Sequence, residues 1–128
     1  MSDLNGIRIL TNNPLVHAKY QGIAEYLEAD AEGVLLRVRD RIHLGASIVN
    51  HPLSGGMPPG VCPFKSLILT YVGEGAVVST DFTSLDLIEG ALRALKRTPS
   101  GFKGYSEETL SDFQVLDLDL VDSALQPV

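Results

Sequence analysis

Residues 65–80, "KSLILTYVGEGAVVST", decide the fold class. Lys65 to Val72 is rich in Leu, Ile, Thr, Tyr and Val, the composition of a buried strand. Gly73-Glu74-Gly75 supplies a turn, and Ala76 to Thr80 predicts a returning hairpin strand. The segments on either side alternate between strand-like and helical patterns. Strands alternating with helices give an α/β domain, and the hairpin makes its sheet mixed. The expectation is a single domain over residues 1–128, with a mixed, mostly parallel sheet flanked by two main helices.

Working upstream, Ile7 to Leu10 reads as a first strand, ended by Thr11-Asn12-Asn13-Pro14. Asn tolerates turn backbone and Pro fixes φ, so that tetrapeptide turns the chain. Leu15 to Tyr20 predicts a short helical turn, and Ile23 to Glu28 a weaker strand. Asp30 caps a helix reaching about Leu44. Its apolar stripe is Ala31, Val34, Leu35, Val38 and Ile42, flanked by Arg37, Arg39 and Arg41. Gly45 stops it, and Ala46 to Asn50 follows as a short strand.

Downstream, Thr83 stands as the cap of a second long helix, with Asp86 completing a capping box and Phe82 and Leu87 a hydrophobic staple. Leu85, Ile88, Leu92 and Leu95 form its stripe, and Glu89 and Arg93 are spaced to pair one turn apart. Residues 100–108 read as a polar loop. Phe113 to Leu120, "FQVLDLDL", alternates at period two and predicts a final strand, with a helical turn after it.

Composition narrows the function classes. Hydrophobic residues make up 45% and charged residues 20%, as in ordinary globular domains. A net charge of −6 disfavours nucleic acid and anionic membrane surfaces, which need a basic face. No stretch approaches the roughly 20 apolar residues of a membrane span. The start lacks a signal-peptide pattern, and a single cysteine forms no internal disulfide. The expected location is the cytoplasm.

One segment resists a structural label: Asn50 to Lys65, "NHPLSGGMPPGVCPFK". Connections this long without secondary structure are usually functional or disordered. Pro52, Pro58, Pro59 and Pro63 stiffen it, and Gly55 and Gly56 let backbone N–H groups approach a ligand. Ser54 adds a hydroxyl. The plain alternative is a rigid cover or a subunit contact. No Walker or dinucleotide fingerprint is present.

If the chain folds back along the first long helix, Arg39, His43, His51, Ser54 and Lys65 surround a small anion, with Arg suited to a carboxylate. Otherwise Arg39 and His43 are a solvated helix flank. Thr11, Asn12 and Asn13 form a second candidate rim, beyond the carboxyl end of the first strand. Turn chemistry alone also explains them. His17 is isolated. Cys62 acts as a nucleophile only with a base beside it; a packed small hydrophobe is the ordinary reading. No metal-ligand spacing is present and no cofactor is expected.

"ILTNNPLV" (9–16), "VRDRIHLGASIVNHPLSGG" (38–56), "PFKS" (63–66) and "DFQVLDLDLVDSAL" (112–125) resemble the GrdX family, in the same order and over nearly the whole chain. That family is a small protein encoded with the glycine, sarcosine and betaine reductase systems of amino-acid-fermenting anaerobes. The resemblance implies association with selenium-dependent reductive cleavage of glycine or its N-methylated relatives, and it carries over no catalytic residues. Reductase subunits and a small anionic ligand are the candidate partners. The expected function is a non-catalytic accessory protein of that system. The alternative is a sensor or enzyme that binds a carboxylate or phosphate at Asn50–Lys65. A structural homo-oligomer is a third option.

Overall fold

The computed structural model describes residues 6–53, 58–71, 79–97 and 104–126. Among the described residues, four strands form one sheet: β1 (Ile7–Thr11), β2 (Ala24–Tyr26), β3 (Ser47–Ile48) and β4 (Ser66–Thr70), in the order β2-β1-β4-β3. The helices that accompany them in the described residues are α1 (Pro14–Lys19), α2 (Ala31–His43), α3 (Phe82–Arg97) and α4 (Glu107–Leu125).

The strands alternate their side chains between two faces. Leu10, Leu67 and Leu69 point to one face. There they meet Val34, Leu35, Val38 and Ile42 of α2 and Ile88, Ala91 and Leu92 of α3. Ile9 and Ile68 point to the other face, against Val16 of α1 and Val121 of α4. Both faces are therefore apolar, which is why β4 reads as a continuous hydrophobic run. Burying each such Leu or Ile contributes about 2 kcal/mol.

The α/β class and the mixed sheet match expectation, but the balance within the sheet does not. β1 pairs parallel with β2, while β4 pairs antiparallel with both β1 and β3. Two of the three pairings are thus antiparallel. β4 is the central antiparallel strand, and its partners on both sides are distant in sequence. The expected hairpin partner falls mostly on residues outside those described; Ser79 and Thr80 are not in a strand.

The expected final strand at 113–120 is the middle of α4. Leu116, Leu118 and Leu120 do alternate with Asp117 and Asp119. The same residues also place Phe113, Asp117 and Val121 four apart on one helical face. Leu and Gln favour helix, and two Asp residues disfavour strand. Ser106 decides the start: its hydroxyl accepts from Thr109 N at 3.1 Å, and Glu107 and Glu108 occupy the first turn. A third long helix thus joins the two expected.

Other local details also differ. Asp81 caps α3 in place of Thr83, accepting from the backbone N–H groups of Thr83 (3.1 Å) and Ser84 (3.4 Å). Phe82 is 70% exposed, so no staple forms there. Glu89 pairs with Arg39 of α2 at 3.3 Å, across the α2–α3 seam, and not with Arg93. The cap of α2 is Asp30 as expected, and Gly45 takes the positive φ (109°) that ends the helix and favours glycine.

Candidate functional site

The carboxyl end of β1 meets the start of β4 because the two strands are antiparallel: Thr11 pairs with Ser66. Both side chains fall on the face covered by α4. The Thr11 and Ser66 hydroxyls lie 2.7 Å apart, and the Ser66 hydroxyl donates to Asp117 Oδ2 of α4 at 2.6 Å. Since Ser66 gives its one proton to Asp117, the proton between the hydroxyls belongs to Thr11. Thr11 Oγ1 in turn accepts from Asn13 N at 2.9 Å. The result is a directed chain from Asn13 N–H through Thr11 and Ser66 to the Asp117 carboxylate. Bonds aligned in this way polarise and strengthen one another.

Asn13 closes the network from the other side. Its Nδ2 donates to Asp117 Oδ2 at 3.0 Å and to the Gln114 carbonyl at 2.9 Å. Its Oδ1 caps α1 by accepting from Leu15 N at 3.0 Å. Asn12 faces the long connection: Nδ2 donates to the carbonyls of Ala29 (2.9 Å) and Pro63 (3.0 Å), and Oδ1 accepts from Lys65 N at 2.8 Å. Asn50 bridges β3 to β4, accepting from Ile68 N (2.8 Å) and donating to the Ser66 carbonyl (3.0 Å).

The charged groups at this end respond to burial. Asp117 is 6% exposed, and its carboxyl is pushed above the ordinary range by desolvation, against the pull of Ser66, Asn13 and the Lys65 charge. Desolvation lowers the Lys65 ammonium, while Asp117 acts in the opposite direction. Lys65 Nζ donates to the Pro52 carbonyl at 2.8 Å. Burial pushes the Cys62 thiol up, and its Sγ donates to the Phe64 carbonyl at 3.4 Å. A thiol held in this way is a poor nucleophile.

The structure gathers Thr11, Asn12, Asn13 and Lys65 at one end of the sheet. His51 lies on the adjoining connection, exposed, with Nδ1 accepting from Leu53 N at 3.0 Å. Arg39 stays in its ion pair with Glu89. His43 ends α2, exposed, near the start of β3, whose Ser47 pairs with Thr70 at the opposite end of the sheet from Ser66. No contact joins Arg39, His43 and His51 to one another among the described residues. Ser54, Gly55 and Gly56 lie outside the described residues. Asp117 and Ser66 are central to the cluster and were missed from sequence. The available signal was an acid in the middle of the apolar ridge that runs from Phe113 to Val121.

A family model matches residues 8–126. The chain belongs to the GrdX-like protein family. The match takes in every group of this cluster, from Thr11 at one end to Asp117 at the other. No curated protein and no solved structure matches the chain. Among the described residues, no helix is long and apolar enough to cross a membrane.

Proposed function

We propose that this member of the GrdX-like family is an accessory protein of the glycine, sarcosine or betaine reductase system of amino-acid-fermenting anaerobes. It acts in the cytoplasm by binding a reductase subunit, not by catalysis. The family membership supports the setting. The observation that carries the non-catalytic part is how the polar groups at the sheet end are used. The hydroxyls of Thr11 and Ser66, the Asn13 amide and the Asp117 carboxylate are engaged with one another. The Cys62 thiol is turned to a carbonyl. Such a network fixes one shape for the end of the domain, as a docking protein requires.

Affinity capture tests this reading. A tagged copy expressed in a glycine-fermenting anaerobe should recover reductase subunits from the lysate. Recovery of the tagged chain without any of them contradicts it.

A further inference from the structure

The chain has 16 acidic and 10 basic residues. Six of the acids and none of the bases lie on α4: Glu107, Glu108, Asp112, Asp117, Asp119 and Asp122. Outside that helix acids and bases are equal at ten each, so α4 alone accounts for the net charge of −6. Two of its acids are used inside the domain, Asp117 by Ser66 and Asn13, and Asp122 by Lys19. Others share the opposite side of the helix. Glu108, Asp112, Val115, Leu116, Asp119 and Ser123 fall within about 100° of arc, turned away from the buried Val121. All six are exposed, Val115 at 46% and Leu116 at 47%. Among the described residues, no base forms an ion pair with Glu108, Asp112 or Asp119. Nothing in this face serves the domain itself. Glu108 and Asp112 stand one turn apart with like charges, which disfavours a helix. Two adjacent apolar side chains left half in water forgo the gain of burial.

We propose that this face of α4 docks a protein partner whose own surface sets lysine and arginine side chains around an apolar depression. Asp112 stands three residues before Val115, and Asp119 three residues after Leu116, so carboxylates frame the apolar pair at both ends. The pair supplies area that leaves water on contact. The carboxylates meet the partner's basic rim, steer the encounter and fix its register. A second copy of the chain does not fit, because a two-fold interface on this face sets acids against acids. Nucleic acid and anionic lipid are repelled by the same charges. This docking face deepens the binding role proposed above and rests on it: it is the surface by which a reductase subunit is held.

Biolayer interferometry of the full chain against each purified glycine, sarcosine or betaine reductase subunit, at low and high salt, tests it. Three double variants are compared with the wild type. One is Val115→Ser with Leu116→Ser, and the second is Asp112→Asn with Asp119→Asn. The third, Asp40→Asn with Asp86→Asn, makes the same charge change at exposed positions of α2 and α3. The serine pair should weaken binding at least tenfold, chiefly through faster dissociation. The α4 asparagine pair should slow association and flatten its dependence on salt, and the control pair should do neither. The asparagine pair alters no apolar contact, so it decides the matter even if the serine pair unfolds. Wild-type binding by the serine pair, or an asparagine effect equalled by the control, overturns the docking face and leaves the binding role standing. Failure of the wild type to bind any subunit overturns the binding role, and the docking face with it.

Discussion

Asp117 carries a carboxylate into a place that disfavours charge, and its titration should be visible in stability. Burial raises its carboxyl above the ordinary aspartate range. The unfolded chain, with the usual value of about 3.9, then releases the proton first as pH rises. The favourable contribution of Asp117 is complete below about pH 4 and is lost as pH climbs through the raised folded-state value. Asp117→Asn has no such titration. Urea unfolding of both proteins from pH 4 to pH 7 should show the variant gaining on the wild type as pH rises. A gap that stays constant over that range contradicts the assignment. Asp122, on the same helix, behaves oppositely: hydrogen bonds from Tyr20 and Lys19 outweigh its desolvation and hold its carboxyl below the usual range.

At the scale of elements, two helical glycines should respond with opposite signs. Gly90 sits within α3, and a Cβ there would meet only the tip of Arg93, at 3.9 Å. Gly90→Ala should stabilise by about 0.5–1 kcal/mol, the ordinary helix-propensity gain. Gly33 sits in the first turn of α2, where a Cβ would stand 2.7 Å from the Ala29 Cβ. That clash involves an atom fixed to the backbone, so Gly33→Ala should destabilise despite the same propensity gain. Thermal unfolding of the two variants checks the pair; a higher Tm for Gly33→Ala would contradict the packing described at the start of α2.

The same scale shows what the sequence could reveal. α2 was legible because its stripe, cap and glycine stop agree with one another. β4 was legible because it is buried on both faces. α4 was not, because a leucine at every second position reads as a strand when the acid between the leucines is assumed to face water. Asp117 is instead the buried member of its helical face, held by Ser66 and Asn13. Those partners lie 51 and 104 residues away, beyond any local pattern. The candidate rim at Thr11, Asn12 and Asn13 was placed from strand-end logic alone. The ion pair of Arg39 was not legible, because its partner, Glu89, lies 50 residues downstream.

For the whole molecule, two apolar layers sandwich a small mixed sheet, and one end of that sheet carries a polar cluster. α4 is tied to that cluster through Asp117 and to α1 through Asp122, with Lys19 at 2.9 Å and Tyr20 donating to the same carboxylate. It contributes Val121 to one core, while Val115 and Leu116 stay about half exposed at 46% and 47%. With a net charge of −6, the chain should associate faster with a basic partner surface, and more slowly as salt rises. The proposed role requires the protein to bind a component of the reductase system. The most direct measurement is sedimentation velocity of the purified chain mixed in turn with each isolated glycine, sarcosine or betaine reductase subunit. One subunit should carry the chain into a faster boundary at saturable stoichiometry. Independent sedimentation of the chain in every mixture would contradict it.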